Sequence, residues 1–365
     1  MGKGPFGVVV LFVGLILGLA SPVAAEFYAQ HNLVSDGFVS ADLVDPDLVN
    51  AWGLSAGPTT PWWVTDNGTG RATLYNGSTG AKVPLTVTVP GAPTGIVFNS
   101  GVGFVVSSGA DHGPARFIFA SEDGTISGWS PAIPPPPPSH QAVVAVDNSA
   151  TGAVYKGLAI ATTTTGDFIY AANFHAGTVD VFDSAFRPVD VAGAFTDPDL
   201  PGGYAPFGIR NLGGTIYVTY ALQDAAKHDD VPGEGHGFVN AFDTAGNLLR
   251  RVASKGELNS PWGLALAPAN FGKFSDDLLV GNFGNGRIHA FDPNHLEGID
   301  GFQQRGPLHS ADGRPIQIDG LWGLAFGNGA AAGPTNVLFF TAGPGHEQHG
   351  LFGRLVLAPP PDGEP

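Results

Sequence analysis

From residue 26 to residue 358 the chain alternates short apolar runs with clusters of glycine, proline, asparagine and aspartate. Runs of this length, rich in valine, isoleucine, threonine and phenylalanine, read as strands and not as helices. Residues 168–173 and 178–183, 215–219 and 237–243, and 278–282 and 287–292 form strand pairs joined by polar turns. A motif opens each group of strands. It is Trp52-Gly53-Leu54, Thr94-Gly95-Ile96, Lys156-Gly157-Leu158, Phe207-Gly208-Ile209, Trp262-Gly263-Leu264 and Trp322-Gly323-Leu324. A second and third strand follow each motif, and a weaker fourth follows in most units, as at 85–89, 143–146 and 248–252.

Six units of four antiparallel strands predict an all-β, six-bladed β-propeller. The periodic glycine has a physical reason, because six inner strands crowd one axis and a missing Cβ lets backbones approach. The sixth unit is one strand short. Residues 337–341 and 351–357 supply its second and third strands, so the mature N-terminal strand around Asn32-Leu33-Val34 is expected to close the ring. Two excursions interrupt the repeat, an insertion at 99–115 with a proline run at 134–138, and the stretch 294–315.

The unit resembles the NHL-type repeat, with Val64-Thr65-Asp66 followed by Arg71-Ala72-Thr73-Leu74-Tyr75 as the nearest match. Beyond the repeat, the mature chain resembles a family of uncharacterised secreted bacterial proteins with a predicted propeller fold. The likeness rests on Asn32-Leu33-Val34-Ser35-Asp36, Val49-Asn50-Ala51-Trp52-Gly53-Leu54, Phe119-Ala120-Ser121-Glu122-Asp123-Gly124-Thr125-Ile126, Lys227-His228-Asp229-Asp230-Val231 and His349-Gly350-Leu351-Phe352-Gly353. It implies the propeller fold and export, and carries no activity to transfer.

Residues 1–25 stand outside this pattern. Lys3, an apolar run over 8–20, and Ser21-Pro22-Val23-Ala24-Ala25 have the order of a signal peptide, with cleavage expected after Ala25 and a secreted or periplasmic protein as the product. The propeller is then expected over 26–358 and a disordered tail over 359–365, with no membrane segment after cleavage. The formal net charge is −16, and losing Lys3 with the leader makes it −17. An acidic chain without Lys/Arg clusters is unsuited to nucleic acid. With no cysteine, disulfides, thiolate catalysis and Cys-type zinc sites are excluded.

Blade topology places the residues before each repeat glycine, and the turns between second and third strands, on one face. That face, the mouth, is expected to carry Trp52, Asp66, Asn67, Trp262, Asn282, Asn285 and Trp322. The tryptophans read either as an aromatic wall for sugars or cations or as wedges between blades. His175, His228, Asp229, Asp230, His236, His346, Glu347 and His349 fall in the same turns. Histidines and carboxylates converging there suit a divalent metal, Zn²⁺ or Ca²⁺, or a polar ligand. Glu122 and Asp123 facing Asp229 and Asp230 would pair carboxylates as glycoside hydrolysis requires. Gly-x-Ser-x-Gly and phosphate-loop motifs are absent. The functional expectation is a monomeric binding module whose mouth takes a small molecule, glycan or protein. The alternatives are a metal-dependent hydrolase, lactonase or lyase, and a structural envelope or matrix protein.

Overall fold

The computed structural model describes residues 1, 2, 4, 27–190, 193–297 and 301–358. The expected leader and the 359–365 tail fall almost wholly outside these residues. Six small antiparallel sheets follow one another along the chain, each packed on the next through its innermost strand. This is the six-bladed propeller that the repeat predicts. In blade 1 the strands are Ala51–Ser55, Trp62–Asp66, Arg71–Tyr75 and Val87–Thr88. Blade 2 runs from Pro93–Phe98 to Val143–Asp147, blade 4 from Tyr204–Leu212 to Leu248–Ser254, and blade 5 from Pro261–Leu266 to Gly301–Pro307. Blade 3 departs from the expected four strands. Among the described residues its sheet has three, Tyr155–Thr163, Gly166–Asn173 and Thr178–Asp183, with a bridge from Phe182 to Pro188 where a fourth would lie. The insertion at 99–115 folds partly into an extra hairpin, Val105–Ser108 with Asp111–Pro114. The excursion at 294–315 largely extends blade 5 into a long outer hairpin. Among the described residues no helix is long and apolar enough to cross a membrane.

The ring closes as expected. Phe27–Ser35 pairs antiparallel with Leu351–Ala358, from Phe27 opposite Ala358 to Ser35 opposite Leu351. Leu43–Val44 then adds in parallel outside it, so the closing blade has five strands. Tyr28, Leu33 and Val34 are buried by this pairing. The Tyr28 hydroxyl also donates to the Phe271 carbonyl at 2.8 Å, tying the closing strand to blade 5.

The repeat glycines sit where the inner strands meet. A Cβ on Gly263 would lie 2.5 Å from the Trp322 carbonyl oxygen, on Gly157 3.0 Å from that of Phe207, and on Gly323 2.8 Å from that of Trp52. Gly53, Gly95 and Gly208 press equally hard on the backbones of Thr94, Leu158 and Trp262. Each glycine thus lets one blade approach the next at the residue preceding or following its own glycine. Threonines clasp some of these joints. Thr65 Oγ1 accepts from the Gly53 N–H at 2.6 Å and donates to the Thr94 carbonyl at 2.6 Å, linking blades 1 and 2. Thr341 Oγ1 links blade 6 to blade 1 in the same way, accepting from Gly323 and donating to Trp52.

One core residue is expected to make the fold acid-sensitive. His289, in the third strand of blade 5, is 1% exposed, and neither ring nitrogen has a hydrogen-bond partner. Burial, reinforced by the charges of Arg287 and His309, pulls its pKa from 6.5 down to about 4. The unfolded ring takes up its proton first as pH falls. Stability is therefore intact above the unfolded value and declines between pH 6.5 and about 4. The expected loss over that range is about 3 kcal/mol. Urea unfolding of wild type and His289→Phe across this interval is the check. The variant should lose that much less than wild type, and parallel curves would refute the assignment.

Candidate functional site

The six residues that precede the repeat glycines converge on the axis at one end of the ring, and four are aromatic. Trp52 stacks on Trp322 with ring centres 3.7 Å apart, and Trp262 meets Trp322 edge-on at 5.8 Å. Phe207 lies 5.8 Å from Trp322, and Phe283 stacks on it at 4.0 Å. Trp52 and Trp322 are buried and Trp262 half-buried. The tryptophans thus pack between adjacent blades, as one of their two readings expects, and also meet across the channel as a shared plug. The plug's indole N–H groups are partly fixed. Trp262 donates to the Lys156 carbonyl at 2.9 Å, and Trp322 to Asn50 Oδ1 at 3.1 Å.

Lys156 holds the corresponding position of blade 3, and its side chain is only 2% exposed. The ammonium lies 5.3 Å from the Trp52 ring centre, ion-paired to Glu122 Oε1 and, at 3.1 Å, to Asp229 Oδ1. Around this pairing runs a second set of polar contacts. Asn67 Nδ2 donates to Glu122 Oε2 at 2.8 Å, and Asn50 Nδ2 reaches both Asn67 Oδ1 and Glu347 Oε1 at 3.2 Å. One network therefore joins loops of blades 1, 2, 3, 4 and 6. Such a network, closed around a buried charge, fixes the relative positions of the loops that carry it.

The electrostatics follow from burial and this pairing. Burial pulls the Lys156 pKa down, but the charges of Glu122 and Asp229 outweigh it and hold the ammonium above its ordinary value. For Asp229 burial acts upward, and Lys156 with His228 reverses it, so this carboxyl is held low. Burial raises Asp230 and Glu347, and the Glu122 charge adds to the effect on Glu347. The Ser260 hydroxyl lies beside the Asp230 carboxyl and, with the Lys156 charge, partly offsets the effect of burial. One cation thus faces four carboxyl groups, two of which resist ionisation. Perturbed titratable groups gathered at one place are a physical marker of a binding or catalytic site.

The expected site residues divide accordingly. His228 and Asp229 come together, with Nδ1 2.9 Å from Oδ1, at the exposed edge of the cluster. Their potential ligand atoms and one of Glu122 all lie within 4.8 Å of one another, a spacing open to a metal ion. Glu347 joins the same network through Asn50, and Asp230 lies close enough to feel the Lys156 and Asp229 charges. His349 does not point its Nδ1 there. It binds Asp36 Oδ2 at 2.7 Å and stacks on Phe38 with centres 3.9 Å apart, fastening the N-terminal segment. His236 Nδ1 turns to the Val231 carbonyl at 2.8 Å, His175 packs beside Gly152, and His346 is exposed in a left-handed turn. Of the mouth residues, Asn67 is in the network. Asp66 is a correction. It is fully buried inside blade 1, where desolvation raises its pKa well above the usual range, because successive strand residues face opposite ways. Asn282 is buried too, pinning the Glu257 carbonyl and the Asn259 N–H, and Asn285 caps its own turn at Arg287. Glu122 and Asp229 do face each other, with the Lys156 ammonium between them. Lys156 was visible as a repeat position only. The signal that marks it is a lysine where the other blades place aromatic residues or threonine.

No family model matches the chain. It is 34% identical over 348 residues to the uncharacterized protein L690 of Acanthamoeba polyphaga mimivirus, an alignment covering 91% of this chain and 87% of L690. It is 33% identical to the uncharacterized protein R648 of the same virus, covering 91% and 81%. These relatives are viral, where the sequence motifs pointed to bacterial proteins. Among solved structures, a Bacteroides thetaiotaomicron protein of unknown function superposes with TM-score 0.55 at 10% identity, over 92% of this chain and 76% of that one. Virginiamycin B lyase from Staphylococcus aureus superposes with TM-score 0.51 at 12% identity, over 91% of this chain and all of the lyase. At such identities the likeness is one of fold alone.

Proposed function

The chain belongs to the family of the mimivirus proteins L690 and R648, and we propose that it is an exported, monomeric binding protein whose mouth takes a small hydroxylated organic ammonium compound, of which an amino sugar is the model. Its blades are read as NHL-like, and the secreted bacterial proteins that its motifs resemble as members of the same group. The observation that carries the ligand reading is the buried Lys156 network. It presents more carboxylate than cation, with Glu122, Asp229, Asp230 and Glu347 around one lysine. A ligand ammonium supplies the missing positive charge, and ligand hydroxyls suit the rim formed by Asn67, His228 and Glu347. The fixed loops and the aromatic floor mean that little ordering is required on binding.

Calorimetric titration of the mature protein, starting at Glu26 on the leader reading, tests this with glucosamine as the probe. Saturable binding is expected, weakened about tenfold or more by Asp229→Asn and by high salt. Glucose binding as tightly as glucosamine, no binding at all, or an Asp229→Asn variant that binds like wild type would overturn it.

A metal-dependent lyase or hydrolase is the second reading, favoured by the donor set Glu122, His228 and Asp229. The Lys156 ammonium already occupies the same two carboxylates, so a divalent ion would have to displace it. Zinc titration in the same experiment decides between the two. Stoichiometric zinc uptake lost in His228→Ala supports the metal reading, and uptake unchanged by that substitution rejects it.

A further inference from the structure

The face opposite the mouth holds an axial cavity of about 240 Å³. The aromatic plug separates it from the Lys156 network, with Trp262 in its lining. Its wall repeats around the axis. Leu54, Ile96, Leu158, Ile209, Leu264 and Leu324, each the residue after a repeat glycine, all contribute to it. The cavity is therefore ringed by aliphatic side chains from the same position of six blades, with strand backbone, Ser55, Asn211 and Arg210 supplying its polar surface. Into it projects one charge, Arg210, at the end of the inner strand of blade 4.

Arg210 is short of partners. Its Nη1 donates to the carbonyl of Leu324, crossing the channel to a blade that is not its neighbour. Among the described residues this is its one side-chain hydrogen bond, and it forms no ion pair. Partial burial draws its pKa down to about 10 with no countering acid among the described residues, so it stays protonated at neutral pH. The adjacent Asn211 is already satisfied, its Nδ2 donating to the Ile160 carbonyl and its Oδ1 accepting from the Gly214 N–H. A half-buried guanidinium whose remaining N–H groups open into the channel, with no acid beside it among the described residues, is a ready anchor for an anion. A planar carboxylate fits its fork with two parallel hydrogen bonds, and the ring around it suits hydrocarbon.

We propose that this channel is a second ligand site, which takes a small monocarboxylate with a compact apolar body, the carboxylate bound by Arg210 and the body enclosed by the ring of leucines and isoleucines. It is independent of the mouth, sharing none of its charged groups. A purely structural strut from blade 4 to blade 6 would need the one hydrogen bond to Leu324 and no anion.

Hexanoate is the probe, titrated into the mature protein by calorimetry. One saturable site per chain is expected. Hexanamide, its neutral isostere, should bind at least about tenfold more weakly, and Arg210→Lys should cost about tenfold because it keeps the charge and loses the fork. Arg210→Met should abolish binding. Should that variant fail to fold, Ser55→Trp leaves the guanidinium in place and fills the channel from its lining, and it too should abolish binding. Absence of saturable hexanoate binding, equal affinity for hexanamide, or binding that survives Ser55→Trp would overturn the proposal.

Discussion

Removing residues 27–36 is expected to abolish the cooperative fold, leaving a chain that aggregates or unfolds without a sharp transition. The segment supplies the fourth strand of blade 6, paired along its length with Leu351–Ala358. Burial of Tyr28, Leu33 and Val34 contributes about 1.5–3 kcal/mol for each side chain. The ladder hydrogen bonds add about 0.5–1.5 kcal/mol apiece. The whole is on the order of 10 kcal/mol, comparable to the total stability of an ordinary domain. Truncation would also expose the edge of Leu351–Ala358, a template for pairing with other chains. A synthetic peptide of residues 27–36 added in trans should recover soluble, folded protein. Circular dichroism melting is the measurement, and a truncated chain with an unchanged midpoint would show that the ring does not need this strand.

Gly208→Val is expected to be nearly as damaging. A Cβ at Gly208 would overlap the Trp262 carbonyl oxygen of blade 5 and lie 2.9 Å from Thr219 Oγ1. Neither obstacle is the free end of a flexible side chain. The inner strands of blades 4 and 5 would have to part, loosening the Trp262–Trp322 packing below the mouth. The expected cost is about 3 kcal/mol or more, and Gly208→Ala should show much of it. Gly202→Ala is the control, since nothing lies within 4 Å of a Cβ there. It should stay within about 0.5 kcal/mol of wild type. Urea unfolding of the set tests the joint, and equal midpoints for Gly208→Ala and Gly202→Ala would remove the steric account.

These two effects rest on features legible in the sequence. The glycines at 53, 95, 157, 208, 263 and 323 mark the inner strands because packing around an axis repeats the same steric demand in each blade. The strand missing from the sixth unit likewise implies its donor. Loop conformation has no such periodicity. The 222–236 loop carries both His228 and His236, and only its folded path shows that the first borders Glu122 while the second turns back to Val231. A shift of one residue at a strand end decides that Asp66 lies inside blade 1 and Asn67 in the mouth. Lys156 and Arg210 were hidden for a related reason. Their character depends on which charges surround them. Lys156 meets two carboxylates from different blades, and Arg210 meets none.

The mouth as a ligand site is the central claim, and the protein's six tryptophans allow a direct test. Trp52, Trp262 and Trp322 form the floor of the mouth, while Trp62, Trp63 and Trp129 lie in the blade cores. Indole N–H resonances recorded in ¹H–¹⁵N spectra during a glucosamine titration report on both groups at once. The account predicts saturable shifts confined to Trp52, Trp262 and Trp322. Shifts of equal size in all six, or none at saturating glucosamine, would contradict it.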